Sequence, residues 1–172
     1  PFSDDSIIPT WEVCRLASRN LKVCLTGLGG DELFIGYHRY LGMMVHQYYR
    51  LLPKFIRKSL LFSFKRIVRK RHSRTMNHLD RFLEAGILED DDVYISYITS
   101  INEERRRNLY SETLQEDIDF DITKNIIKDH FNACESKSLL NRAVYTDLNS
   151  YVPEDILSLS DRVSMWHSLE LR

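Results

Sequence analysis

Cysteine and glycine are both scarce in this chain: three and six residues in 172. Cys14, Cys24 and Cys134 are odd in number and lack CxxC spacing, which argues against a disulfide framework and against a zinc site. A reducing, cytoplasmic setting is the expectation. No apolar run approaches the ~18 residues of a membrane span, and the N-terminus has no signal-peptide pattern. An excess of one charge is missing too. The formal net charge is -1, so the chain as a whole has no preference for nucleic acid or membrane. Repeats and low-complexity stretches are absent. The sequence begins without Met and stops at SLELR with no turn or breaker, and a fragment of a longer protein is expected.

Acids are missing locally. Between Leu33 and Leu79 there is none, while the same run holds eleven Lys or Arg, including KRIVRKRHSR at 65–74. Acids then gather at EDDD (89–92) and from Glu112 to Asp121. The simplest reading is solvated helix faces that pair in the fold; the other is a basic surface along 54–74 for a polyanion or a neighbouring domain.

What glycine there is concentrates in VCLTGLGGDELFIGY (23–37), which holds four of the six. LKVCL (21–25) is short, apolar and partly β-branched, as a buried strand is. The preceding IIPTWEVCRLASRN has helical spacing, with Asp4, Asp5 and Ser6 as capping residues. After the glycines, DELFIGYHRYLGMMVHQYYRLL (31–52) reads as one helix. Helices are expected next in 53–70, 77–86, 90–100, 102–111 and 121–134, and in 138–172 with a reset at Pro153. Ile122, Ile126, Ile127 and Phe131 form a predicted core stripe, and Trp166 with Tyr37, Tyr40, Tyr48 and Tyr49 are expected core aromatics. His38, His46, His72, His78, His130 and His167 lack metal-site spacing and are read as surface or packing residues.

A strand entering a glycine turn that feeds a helix gathers backbone N–H groups around one point. Phosphate fits there, and the Thr26 hydroxyl could hydrogen-bond it. Asp31 and Glu32 would repel a naked phosphate unless magnesium lay between them. The alternative is a plain βα turn with an acid-capped helix, since TGLGGDE is neither a P-loop nor a dinucleotide fingerprint.

Three stretches carry a family resemblance: LTGLGGDELFIGYHRY, the C-terminal SYVPEDILSLSDRVSMWHSLELR, and FSDDSIIPTWEVCRLASRNLKV before the turn. They resemble the synthetase domain of glutamine-dependent asparagine synthetase-like amidotransferases; the middle, 45–140, matches only as a helical region. The resemblance implies an α/β ATP-pyrophosphatase-like (adenine nucleotide alpha hydrolase-like) domain. Residues 1–172 would form part of it, without the upstream pyrophosphate loop, the glutaminase domain or the downstream end. As a piece it should be predominantly α, about eight helices and one short strand, with LKVCL fraying or pairing with another copy as a homodimer.

The implied chemistry is adenylation of a carboxylate, aspartate by resemblance, followed by amide formation with glutamine-derived ammonia. ATP and Mg2+ are the implied cofactors, and the glutaminase domain of the same parent is the implied partner. The resemblance places Thr26, Gly27, Gly29 and Gly30 at the nucleotide, Asp31 at magnesium, and Glu32 and Arg162 near substrate or phosphate. For Asp161, Arg162, Glu170 and Arg172 the competing role is ion pairing. Leu28 stands where the family usually has Glu, and leucine carries no proton. The chain alone is expected to be inactive. The alternatives are an adenylating enzyme with another carboxylate or nucleophile, or a non-catalytic helical interaction domain.

Overall fold

The computed structural model describes residues 4–68, 74–99, 101 and 103–172. His72 and three cations of the basic run, Arg69, Lys70 and Arg71, lie outside the described residues, as do 100 and 102. The chain divides into two compact units, one made of Pro1–Gly36 and Val144–Arg172, the other of Tyr37–Ala143.

The first unit begins with α1 (Ile7–Ala17), entered where the Asp4 carboxylate accepts from the Ser6 N–H at 2.8 Å. β1 keeps only Val23–Cys24 of the expected LKVCL strand. Its partner is within the chain: β2 (Glu170–Leu171) pairs with it in parallel, Val23 opposite Glu170 and Cys24 opposite Leu171. The expectation of a lone strand is thereby corrected. The last residues extend because Ser168 adopts φ 54, ending α11 (Ser158–Trp166) and redirecting the backbone.

Pro153 sits in the first turn of a π-helical segment, Val152–Leu157, which runs into α11. Cys14 of α1 packs with Leu159, Val163 and Leu169, and Ile7, Trp11, Ala17, Cys24 and Leu171 close around them. Burial of such side chains contributes about 1.5–3 kcal/mol each, which holds β1 and β2 against the helices. Trp166 is not core: it is 74% exposed, and one side of its ring meets Trp11 at 5.5 Å.

The predicted helix over 31–52 is broken. α2 is only Gly30–Leu33 and α3 begins at His38. Between them Ile35 has φ 63, unusual for a β-branched residue, and the Asp31 side chain lies so close to Gly36 that a Cβ there would collide with it.

The second unit is helical: α3 (His38–Tyr49), α4 (Lys54–Val68), α5 (Arg74–Ala85), α6 (Asp90–Ile98), α7 (Glu103–Leu109), α8 (Glu112–Asp117) and α9 (Ile122–Ala133). α10 (Leu139–Asn149) divides between the two units. Counted with α1, α2 and α11, the described residues form more and shorter helices than the sequence suggests. The core takes Tyr40 and Met43 from α3, Leu83 from α5, Val93 and Tyr94 from α6 and Phe131 from α9. Tyr94 stacks on Phe131 with centroids 5.5 Å apart, worth about 0.5–1.5 kcal/mol beyond the area buried.

Gly42 and Gly86 permit close approach. A Cβ at Gly42 would meet the Tyr97 ring at 2.9 Å, and one at Gly86 would collide with Tyr49. Arg57 is buried and donates to the Gly86 carbonyl. The predicted stripe on α9 is corrected in part, for Ile122 and Ile126 are more than half exposed while Phe131 is buried. Tyr48 is also exposed, at 67%, whereas Tyr40 is fully buried.

Candidate functional site

The glycine turn and the C-terminal stretch from Ser150 fall within the first unit, while the YHRY end of the turn segment belongs to the second. β1 and β2 run parallel, so their carboxyl ends lie side by side. The ladder continues through Arg172 N–H to the Cys24 carbonyl at 2.9 Å and Thr26 N–H to the Arg172 carbonyl at 2.7 Å. The glycine turn starts where that ladder stops. Open α/β sheets take their ligands at the carboxyl ends of parallel strands.

Within the turn, Gly30 N–H donates to the Gly27 carbonyl at 3.1 Å, and Gly29 adopts the left-handed φ of 79 that disfavours any side chain. The remaining N–H groups, of Gly27, Leu28 and Gly29, donate to no protein atom among the described residues. Successive free N–H groups in such a turn form an anion-accepting concavity. They matter more here than a helix dipole, because α2 has only four residues.

Gly29 needs to be glycine for its conformation; Gly27 and Gly30 do not. Neither has a positive φ, and a Cβ on either would meet nothing within 4 Å. The protein's own packing thus does not demand glycine at these two positions, and the space beside them is open. The Thr26 side chain is exposed with no protein partner among the described residues.

The acids separate. Asp31 is exposed at the turn, whereas Glu32 is fully buried. Leu28 is 44% exposed and presents a methyl surface in place of an acid or base. Asp161 and Arg162 are exposed on α11, and Arg172 Nε donates to Glu170 Oε1 at 2.8 Å, the ion pair weighed for these two in the sequence. The apolar rim was not anticipated: Leu25 and Phe34, flanking the turn in sequence, are 87% and 84% exposed. A run of Leu and Phe around glycine reads as core, so nothing in the sequence signalled it.

Among the described residues no three His, Cys, Asp or Glu side chains gather to hold a metal. No helix among them is long and apolar enough to cross a membrane. His46 is buried as a packing residue, edge-on to Phe82 with centroids 6.2 Å apart. A groove of about 1480 Å3 exists in the helical unit, lined by both signs of charge, including Lys65, Arg81, Glu84, Asp92 and Arg106; no turn residue lines it.

The site as observed is a two-residue parallel strand pair opening onto a glycine turn whose Gly27, Leu28 and Gly29 N–H groups have no protein acceptor among the described residues. Comparison with known families then specifies it further. The family described as asparagine synthase matches residues 1–172, and the chain belongs to that family. It is 27% identical over 175 residues to asparagine synthetase [glutamine-hydrolyzing] 1 of Bacillus subtilis (strain 168), covering 100% of this chain and 26% of that protein. A putative asparagine synthetase [glutamine-hydrolyzing] of Mycobacterium tuberculosis (strain CDC 1551 / Oshkosh) is 26% identical over 172 residues, 100% of this chain and 25% of that one. Over 57 residues the identity reaches 44% with putative asparagine synthetase [glutamine-hydrolyzing] 2 of Methanocaldococcus jannaschii, 33% of this chain and 11% of the relative. The chain spans about a quarter of the length of the first two relatives. No solved structure matches it.

Proposed function

We propose that this chain is the nucleotide-facing part of a longer, ATP-dependent asparagine synthetase-like ligase with an ATP-pyrophosphatase-like domain, and that residues 26–31 receive the phosphates. The observation that carries this reading is the open space beside Gly27 and Gly30 together with the free N–H groups of Gly27, Leu28 and Gly29. Family membership supports it. Further strands of the parent's sheet would cover Val23 and Leu25, which are 45% and 87% exposed.

In the reaction so assigned, an oxygen of the aspartate side-chain carboxylate attacks the α-phosphorus of ATP. The bond to pyrophosphate breaks as the new P–O bond forms. Ammonia from the parent's glutaminase domain then attacks the acyl carbon, AMP leaves with the C–O electrons, and loss of a proton from nitrogen gives the amide. The chain's own part is to bind and orient. The three N–H groups and the Thr26 hydroxyl hold phosphate oxygens, charge-assisted hydrogen bonds about twice as strong as neutral ones. Arg162 is the cation assigned to reach phosphate, because a guanidinium binds one bidentately.

Magnesium neutralises phosphate charge when bound. Exposed Asp31 beside the open turn fits such an ion, held by one carboxylate plus phosphate oxygens, and needs no three-residue cluster. Glu32, by contrast, is fully buried.

Leu28 neither gives nor accepts a proton, so proton handling in the second half-reaction falls to another group. This favours, as a second reading, adenylation for a different carboxylate or nucleophile. ATP–pyrophosphate exchange in the full-length protein, with aspartate and then other carboxylates, separates the two. Exchange dependent on aspartate supports the first, and exchange dependent on another carboxylate the second. No exchange with any carboxylate, for native protein and for Leu28→Glu, would refute adenylation. The isolated 172-residue chain is expected to give no AMP from ATP and aspartate.

A further inference from the structure

Of the four glycines in 23–37, Gly29 is required by its left-handed backbone, and Gly27 and Gly30 border open space. Gly36 fits neither case. Its φ is not positive, and the space where a side chain would begin is already filled. A Cβ there would collide with Asp31 Oδ1, and would lie 2.9 Å from Asp31 Cγ and 3.1 Å from Asp31 Cα. What fills the space is therefore a carboxylate. At Gly42 and Gly86, by contrast, it is a tyrosine ring.

The backbone after α2 folds back to make this contact. Leu33 and Phe34 N–H donate to the Gly29 and Gly30 carbonyls at 3.0 and 2.9 Å, and Gly36 N–H reaches one residue beyond the helical register, to the Asp31 carbonyl at 2.8 Å. The reversal needs Ile35 at φ 63, a conformation that strains a β-branched residue. Core packing does not account for the strain, because Asp31 and all of 33–36 are exposed. Backbone strain of this kind clusters at functional sites. The Asp31 carboxylate itself accepts no hydrogen bond and joins no ion pair among the described residues. An exposed aspartate without partners ordinarily samples several rotamers. Here the missing side chain of Gly36 leaves it a seat, and no protein donor claims its oxygens.

We propose that Gly36 is a positioning residue: together with left-handed Ile35 it seats the Asp31 carboxylate beside the glycine turn, set in advance for the magnesium ion that accompanies the phosphates. The inference rests on the reading of Asp31 as a magnesium-binding carboxylate and adds what holds that carboxylate in place. A ligand fixed beforehand loses less freedom when it meets a cation, so the cation binds more tightly than it would to a freely rotating side chain. A side chain at 36 moves the carboxylate to another rotamer, because the atoms it strikes first belong to the Asp31 side chain.

The test is equilibrium binding of ATP to the full-length protein, once with magnesium and once with EDTA. Native protein binds ATP more tightly with magnesium. Gly36→Ala lowers the affinity about tenfold or more with magnesium and does not lower it in EDTA, because the change reaches the carboxylate and not the phosphates. In an Asp31→Ala background, which empties the seat, Gly36→Ala alters neither affinity. Thermal unfolding adds a readout free of metal and nucleotide: Gly36→Ala lowers the midpoint of the native protein and leaves that of Asp31→Ala unchanged. A double variant that is as destabilised as Gly36→Ala, or that does not fold, would place the collision elsewhere and overturn the proposal. Magnesium-dependent binding that survives Gly36→Ala, or a loss that is equal with magnesium and with EDTA, would overturn it while leaving the turn as a phosphate site. Native affinity that is the same with and without magnesium would overturn the assignment of Asp31, and the proposal with it.

Discussion

His46 offers a test of the packing of the helical unit. The side chain is wholly buried, and neither ring nitrogen has a hydrogen-bond partner among the described residues. Burial first, then the nearby Arg50 and Arg57 charges, lower its pKa from 6.5 to about 4. The native state therefore binds fewer protons than the unfolded state between these two values. Stability from this residue is fully present above the unfolded pKa and is lost as pH falls toward 4. The whole shift corresponds to about 3 kcal/mol, and about 2 kcal/mol of it disappears between pH 7 and pH 5. That is a large share of the ~5–15 kcal/mol that holds a typical domain together.

The assay is urea denaturation of the native protein and of His46→Phe at pH 7 and pH 5, followed by helical circular dichroism. Other histidines and carboxylates titrate equally in both proteins, so the difference between the two pH dependences isolates His46. The native protein should lose about 2 kcal/mol more than the variant. Identical pH dependence, or an imidazole that titrates near 6.5 by NMR, would refute the reasoning.

Gly29→Ala, forced into φ 79, should cost about 1–2 kcal/mol of stability measured by thermal unfolding. Gly42→Ala should destabilise the helical unit by about 1–3 kcal/mol, because the new methyl meets the Tyr97 ring at 2.9 Å; thermal unfolding checks this as well. Glu170→Gln should change stability by less than about 1 kcal/mol in the same measurement, since its pair with Arg172 is exposed, while the backbone ladder at the site persists.

The turn was legible because glycine concentrated behind a β-branched apolar run has few other uses. α1 and the reset at Pro153 were legible for similarly local reasons: capping acids before a periodic stretch, and a residue that lacks an N–H. β1 was placed correctly but drawn too long, because Leu21 and Leu25 look like core and are in fact exposed. β2 was missed. Glu170 and Leu171 follow a helix, and only the left-handed Ser168 turns them toward a strand far away in sequence.

The break at Ile35 was hidden for the opposite reason, since a β-branched residue is a poor candidate for positive φ. For the site, residue identity showed which positions matter but not which way they face. Glu32 and Asp31 are adjacent acids, yet one is buried and the other exposed. Arg57 and Lys58 are adjacent cations, and the sequence likewise gave no sign that the first is buried while the second faces outward.

The measurement that bears most directly on the central claim is equilibrium binding of ATP to the full-length protein and to Gly27→Ala. The added methyl meets no protein atom within 4 Å, so fold and thermal midpoint should be unchanged. If the turn receives the phosphates, affinity should fall about tenfold or more, about 1.4 kcal/mol. A variant that binds ATP as tightly as the native protein would contradict the claim that the glycines leave room for a nucleotide.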